Sequence, residues 1–137
     1  MMETQRHKDT KEAPENPLSY KIIGAAIEVH RRLGPGLLET AYEKCLAYEL
    51  NEMGIECGSQ VELPITYKGM QIKPAYRIDL LVEKKVIVEV KAVAEHHPIY
   101  DAQVLTYLKL RGCRLGLILN FNTTRLKDGI KRLVHNL

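Results

Sequence analysis

Residues 75–93, AYRIDLLVEKKVIVEVKAV, contain two short aliphatic runs that are joined by the charged segment EKK. Three charged residues stand inside these runs, at positions where aliphatic side chains would pack better: Asp79, Glu89 and Lys91. A charge placed in apolar surroundings costs free energy unless a partner offsets it. The stretch therefore predicts a strand hairpin whose charged residues share a specific partner.

The length of the hairpin loop decides where these charges meet. Successive side chains of a strand point to opposite faces, so Glu89 and Lys91 project from the same face. A loop of three residues, 83–85, sets Asp79 opposite Glu89 and brings all three charges to one face. A two-residue loop shifts the register by one position and sends Asp79 to the far side.

Two carboxylates that face each other on adjacent strands repel, and partial burial strengthens the repulsion unless a cation lies between them. A divalent metal is the simplest such cation, since Mg²⁺ binds one or two carboxylates and leaves its other positions to water and phosphate. Lys91 would then orient or help to deprotonate the attacking water. The alternative is an exposed, salt-bridged face, because so short a pattern also arises by chance.

The length and composition of the chain suit one domain. A chain of 137 residues with 45% hydrophobic residues can form a real core. The formal charge of +3 is unevenly placed, since residues 109–137 carry seven Lys or Arg against the single acid Asp128. This basic end would face a phosphate backbone, or it is a solvated helix face.

The three cysteines are widely spaced and form no C-x-x-C pair, which argues against a disulfide scaffold or a zinc ribbon. Reduced thiols in the cytoplasm fit this pattern. We find no signal peptide and no apolar run long enough to span a bilayer. Residues 1–16 are polar and are expected to form a mobile tail, with residues 17–137 as a single domain.

Apolar periodicity and turn residues predict the order of the remaining elements. Pro64 indicates an edge strand or a bulge. The predicted elements are helices over 18–33 and 37–53, strands over 56–67 and 70–73, the hairpin, a helix over 99–110, a buried strand over 114–121 and a last helix over 124–134. The sequence thus predicts an α/β fold of the mixed α+β kind.

Three further polar residues lie on the predicted helices. Glu39 falls in a first turn, where the helix dipole favours a carboxylate, but it also borders the apolar stripe and would point toward a site. Gln103 and Tyr107 share one face of the helix over 99–110. Gln103 could contact a water, a metal-bound group or a phosphate, but taken alone it is better explained as an ordinary exposed helix residue.

The segment 36–42, GLLETAY, resembles the pattern that gives the GxxExxY proteins their name, and that family is similar to part of the PD-(D/E)xK nuclease superfamily. The resemblance extends over about residues 18–134. It implies a restriction-endonuclease-like αβββαβ core, with an extra N-terminal helix and a C-terminal helix.

The resemblance also implies roles for the charged residues. Asp79, Glu89 and Lys91 would be the signature acid, acid and lysine, and Glu39 would be an additional acid near the metal. Ile78 stands where the name of the superfamily has proline. That departure makes the motif less specific, although this position is permissive in such proteins.

The segment 103–107, QVLTY, is similar to the Q-x-x-x-Y element of recombination-type exonuclease domains. The element lies on the helix that follows the lysine strand. By this resemblance, Gln103 and Tyr107 border the site and contact the scissile phosphate or its neighbours.

These resemblances imply a Mg²⁺- or Mn²⁺-dependent phosphodiesterase, a nuclease that acts on nucleic acid and on DNA in particular. Asp79 and Glu89 would hold the metal, with the Val90 carbonyl as an extra ligand and Glu39 completing the acidic cluster or steering a second ion. A homodimer would let so small a nuclease act on both strands. Two alternatives stay open: a non-catalytic module that binds nucleic acid or protein on the same scaffold, and a structural or regulatory partner protein.

Overall fold

The computed structural model describes residues 13–137, apart from the side chains of residues 74 and 75. Its elements, in chain order, are α1 (Glu15–Leu33), α2 (Glu39–Glu52), β1 (Cys57–Tyr67), β2 (Met70–Val82), β3 (Val86–Lys91), α3 (Pro98–Arg111), β4 (Leu115–Asn120), a 3₁₀ turn (Leu126–Gly129) and β5 (Ile130–Val134). From α2 to β4 this is a helix, three strands, a helix and a strand. The predicted mixed α+β, restriction-endonuclease-like fold is confirmed, with α1 as the extra N-terminal helix.

The described strands form one five-stranded sheet in the order β1-β2-β3-β4-β5. All neighbouring strands are antiparallel except β3 and β4, which are parallel and are connected through α3. Parallel neighbours need such a crossover, because a tight turn cannot join them. The strand β4 has a neighbour on each side, which explains its near-continuous aliphatic sequence.

The hairpin between β2 and β3 has the register that a three-residue loop predicts. Leu80 pairs with Val88, and Val82 pairs with Val86. The chain reverses at Glu83 and Lys84, whose φ angles are 52° and 57°.

The sheet carries an apolar core on each face. On one face, β2, β3 and β4 pack against α1 and α2 through residues that include Ile22, Leu46, Leu80, Val88 and Leu117. On the other face, the sheet packs against α3 through residues that include Ile78, Ile87, Val104, Leu108 and Ile118. Ile78 and Leu80 therefore serve opposite faces although they are two residues apart, so the strand's regular alternation breaks at Asp79.

Strands β1 and β2 differ from the predicted strands in one respect. The short strand predicted over 70–73 is the first part of the continuous strand β2 (Met70–Val82). The register of β1 against β2 shifts between Leu63 and Ile65, so the bulge predicted at Pro64 is present.

The helix predicted over 124–134 is wrong, because this segment forms the 3₁₀ turn and the edge strand β5. Gly129 explains the change of direction. A Cβ atom at this position would lie 2.2 Å from the carbonyl oxygen of Asn120, so only glycine fits the turn. Residues 130–134 then pair antiparallel with β4 and cover an edge that a helix would leave unpaired.

The N-terminal prediction falls largely on residues 1–12, which lie outside the described residues. Helix α1 begins at Glu15, inside the range predicted as a tail. Within residues 13–137, no helix is both long enough and apolar enough to cross a membrane. Cys45, Cys57 and Cys113 are free thiols, and burial raises the pKa of the Cys57 thiol to about 11.

Candidate functional site

Asp79 and Glu89 are joined by two hydrogen bonds between backbone and carboxylate. The Asp79 N–H donates to Glu89 Oε2 at 2.9 Å, and the Val90 N–H donates to Asp79 Oδ2 at 2.9 Å. Each carboxylate therefore binds the backbone of the opposite strand, directly beyond the pair of Leu80 with Val88. The structure thus brings these two acids together at the point where β2 and β3 part.

Burial makes this pair of acids costly in the absence of a cation. Glu89 is 4% exposed, and burial together with the charge of Asp79 raises the pKa of its carboxyl to about 8. Burial also raises the pKa of Asp79, although the Val90 N–H counteracts the shift. A positive charge between the two acids would favour their ionised forms.

Lys91 supplies a positive charge on the same strand, two residues beyond Glu89. The charge of Lys91 lowers the pKa of both acids, against the larger effect of burial. Its ammonium nitrogen lies 4.5 Å from the ring centroid of Tyr100 on α3. Lys91 takes part in none of the ion pairs formed among residues 13–137, so its ammonium is available to a water molecule or a phosphate.

Glu39 is the first residue of α2 and lies at the exposed rim of this site. Its Oε1 accepts a hydrogen bond of 3.3 Å from the Ala92 N–H, just past Lys91. Its negative charge contributes to the raised pKa of Asp79. The structure therefore places Glu39 beside the hairpin acids.

Gln103 and Tyr107 border the site from α3. Gln103 Nε2 donates to the hydroxyl oxygen of Tyr107 at 2.9 Å. Burial raises the pKa of Tyr107, and the charge of Glu89 adds to the shift, so this phenol lies within electrostatic reach of the acids. Tyr107 packs in one apolar cluster with Ile78 and Ile87 of the hairpin, and Gln103 is held to it by this hydrogen bond.

Two residues that the sequence did not single out, Glu43 and Gln60, also lie at the site. Glu43 is 7% exposed, and its pKa is raised by burial and by the charge of Asp79. Gln60 Nε2 lies 2.8 Å from Glu43 Oε1 and 3.3 Å from Asp79 Oδ1, so it bridges α2 and the hairpin. The spacing of Glu43, four residues after Glu39, could have revealed it, but no sequence signal marks Gln60, whose φ is 51°.

Asn120, at the end of β4, was also not singled out by the sequence. Its Oδ1 accepts from the Val93 N–H at 3.1 Å, and its Nδ2 donates to the Val93 carbonyl at 3.0 Å. The Phe121 N–H donates to the Lys91 carbonyl at 2.9 Å. These bonds fix the backbone that carries Lys91.

The tyrosine of the GLLETAY segment holds the loop that precedes Glu39. The Tyr42 hydroxyl donates to the Gly34 carbonyl at 2.6 Å and accepts from the Leu37 N–H at 3.0 Å. Its ring stacks on Phe121 with centroids 4.5 Å apart. The motif therefore combines an acid at the site with a tyrosine that positions the start of its helix.

The donor set suits a metal that takes few protein ligands. Within residues 13–137, no three His, Cys, Asp or Glu side chains are grouped as a metal site. The carboxylates of Glu89, which is buried, and Asp79, which is half-buried, fit Mg²⁺ or a similar ion, because such ions are commonly bound through one or two carboxylates, water and substrate phosphate.

The basic C-terminal region is partly neutralised by acids. Three of its basic residues form ion pairs: Arg114 with Glu15, Arg125 with Asp128 and Lys131 with Asp101. Lys109, Arg111 and Lys127 are exposed and belong to none of the ion pairs in the described part of the chain.

The family of the chain follows from its similarity to a known protein family. No curated protein and no solved structure matches it. The family model described as the PD-(D/E)XK nuclease superfamily matches residues 16–133, which is most of the 137-residue chain and includes every residue of the site described above. The chain belongs to the PD-(D/E)XK nuclease superfamily.

Proposed function

We propose that this chain is a divalent-metal-dependent phosphodiesterase that cleaves DNA, of the GxxExxY kind, with residues 17–137 as one domain that acts as a homodimer. Nucleases of this superfamily generally use divalent metals and bind nucleic acid. The observation that carries the proposal is the reciprocal bonding of Asp79 and Glu89, which holds a half-buried and a buried carboxylate together.

Asp79 and Glu89 would hold Mg²⁺ or Mn²⁺, with the Val90 carbonyl as a further ligand. When bound, the ion offsets charge on the reacting phosphate and lowers the pKa of a water molecule. Lys91 orients that water and stabilises negative charge on the phosphate. Glu39 completes the acidic cluster at the rim.

Gln103 and Tyr107 contact the scissile phosphate or its neighbours from the α3 side. Gln103 donates its amide N–H to Tyr107, so the phenol proton stays free for a phosphate oxygen. Burial raises the pKa of Tyr107 and keeps that proton in place at neutral pH. The exposed bases Lys109, Arg111 and Lys127 would hold the phosphate backbone.

A cleavage assay on single-stranded and duplex DNA with Mg²⁺ or Mn²⁺ tests this function. We expect Asp79→Asn and Glu89→Gln each to abolish cleavage and to remove the heat of Mn²⁺ binding in calorimetry, while circular dichroism shows an intact fold. Glu62→Gln, an exposed acid on β1, is the matched control and should retain both. Wild-type protein that binds no Mn²⁺ at millimolar concentration would refute the proposal.

A second candidate is a nucleic-acid-binding module that does not cut. It is favoured by the exposed bases Lys109, Arg111 and Lys127, which belong to none of the ion pairs among residues 13–137 and could bind phosphate without a metal. DNA affinity without turnover in any divalent metal would select this candidate.

A further inference from the structure

Two cavities lie side by side along α3 and share Tyr100. The first, which we name the basic cavity, has a volume of about 340 Å³ and is lined by residues that include Lys91, His96, Asn120 and Lys131. The second, the tyrosine groove, has a volume of about 590 Å³ and is lined by residues that include Tyr76, Ile99, Gln103 and Tyr107. Both volumes lie in the range of ligand-binding pockets.

The basic cavity suits a phosphate. Lys91 and Lys131 both line it, and the Lys91 ammonium lies 4.5 Å from the ring centroid of Tyr100, which also lines it. Asp101 binds both His96 at 2.9 Å and Lys131 at 2.7 Å, which fixes their positions. Asp128 also lines the cavity, but it is paired with Arg125. Lys131 is paired with Asp101, so Lys91, which belongs to none of the ion pairs among residues 13–137, is the ammonium that the cavity offers to a phosphate.

The tyrosine groove suits a flat, uncharged ring. Tyr76 is 54% exposed and Ile99 is 60% exposed, although both are apolar in bulk. The rings of Tyr76 and Tyr107 have centroids 6.1 Å apart and are tilted by 48°, so a ring face is available in the groove. Every nucleobase has a π face, and stacking on an aromatic side chain is tolerant of sequence.

The groove adjoins the site through Tyr100, which also lines the basic cavity together with Lys91. Gln103 and Tyr107 line the groove, and the Tyr107 hydroxyl lies within electrostatic reach of Glu89. Tyr100 forms the boundary with the basic cavity, and its ring is in contact with the Lys91 ammonium. A chain of alternating phosphates and rings would therefore fit across this boundary.

We propose that the substrate is DNA with an unpaired segment, whose bases stack in the tyrosine groove while its phosphates enter the basic cavity. This inference rests on the proposed nuclease function, and it adds the strandedness of the substrate. Bases of an intact duplex are stacked on each other and cannot enter a groove at the level of the phosphates.

Fluorescence anisotropy with a labelled oligothymidylate tests the groove, in Ca²⁺ and separately in chelator so that binding is read without cleavage. We expect Tyr76→Ala to weaken binding roughly tenfold or more, while Tyr76→Phe, which keeps the ring, stays near wild type. Tyr20→Ala is the matched control, since Tyr20 is 73% exposed on α1 and lines neither cavity. An oligonucleotide of abasic residues keeps the phosphates and removes the bases, so wild-type protein should bind it more weakly by a similar factor.

Photocrosslinking of a halogenated oligonucleotide to wild-type protein gives a readout that does not depend on a variant. We expect the crosslink on Tyr76 or Tyr100. Equal affinity of Tyr76→Ala and wild type would overturn the inference, as would tighter binding of duplex than of single strand. A dimer that Tyr76→Ala dissociates without loss of DNA affinity would instead assign the groove to a second copy of the chain. If cleavage depends on metal but Tyr76→Ala binds DNA like wild type, the proposed nuclease function is supported and the role of the groove is refuted. If Tyr76→Ala weakens DNA binding but no cleavage occurs, the role of the groove is supported and the nuclease function is refuted.

Discussion

At Glu89, a buried carboxyl lies against a second carboxyl, and its pKa is raised to about 8 from an ordinary value of 4.5. Between these two values the folded state binds more protons than the unfolded state, so stability falls as the pH rises. Metal-free Glu89→Gln has no such proton to lose. We expect it to exceed wild type in free energy of unfolding by on the order of a few kcal/mol at pH 8, and to approach wild type near pH 5.

Urea unfolding in chelator across this pH range measures the difference. Adding Mn²⁺ at pH 8 should make wild type the more stable of the two proteins. The ion stabilises the folded wild type, whereas the variant lacks one of the carboxylates that would bind the ion. Parallel pH profiles of the two metal-free proteins would contradict the raised pKa of Glu89 in the folded state.

At the residue scale, spacing predicted the acids on the hairpin because strand alternation and loop length fix where their side chains project. The same spacing could not predict that Gln60 lies at the site. Its position depends on a positive φ within a strand and on contacts with two elements that are distant in sequence. Glu43 was accessible in principle, since it lies one helical turn beyond Glu39.

At the scale of elements, Tyr42 ties the loop between α1 and α2 to the start of α2. Tyr42→Phe keeps the stacking on Phe121 but leaves the Gly34 carbonyl and the Leu37 N–H without the hydroxyl. We expect a loss of about 1 to 3 kcal/mol in the free energy of unfolding. Hydrogen exchange at Leu37 should also become faster, because its amide loses its partner.

Tyr20→Phe is the control for this prediction, because the side chain is exposed on α1. An unchanged exchange rate at Leu37 in Tyr42→Phe would show that the loop does not depend on the hydroxyl.

The elements themselves were predicted well where periodicity is long and turn residues are clear, as for α1, α2, α3 and β4. The last segment failed for a physical reason. Leu126, Ile130 and Leu133 fit a helical period, but the tight contact of Gly129 with Asn120 turns the chain. Residues 130–134 then pair with the open edge of β4 as a strand. Local sequence does not predict this pairing, because it depends on tertiary contacts.

At the scale of the whole molecule, the ion pair of Glu15 with Arg114 joins the first turn of α1 to the residue before β4, across 99 positions of sequence. Two hydrogen bonds of 2.9 and 2.7 Å connect the side chains, and Glu15 is buried. The hydrogen bond from Arg114 lowers the pKa of Glu15. A carboxyl with a lowered pKa stabilises the fold above its unfolded value and loses that contribution as the pH falls through the folded value.

We therefore expect Glu15→Gln to lower the free energy of unfolding by about 1 to 3 kcal/mol at pH 7, because charge-assisted hydrogen bonds are lost. The difference from wild type should shrink as the pH falls from the ordinary value of 4.5 through the lowered pKa of Glu15 in the folded protein, below which the wild-type carboxyl is also neutral. Urea unfolding at both pH values measures this. Glu28→Gln, which removes an exposed pair with Arg31 and Arg32, is the control and should change stability little. A loss in Glu15→Gln that persists unchanged at low pH would assign the effect to packing of the side chain, since the charge no longer distinguishes the two proteins there.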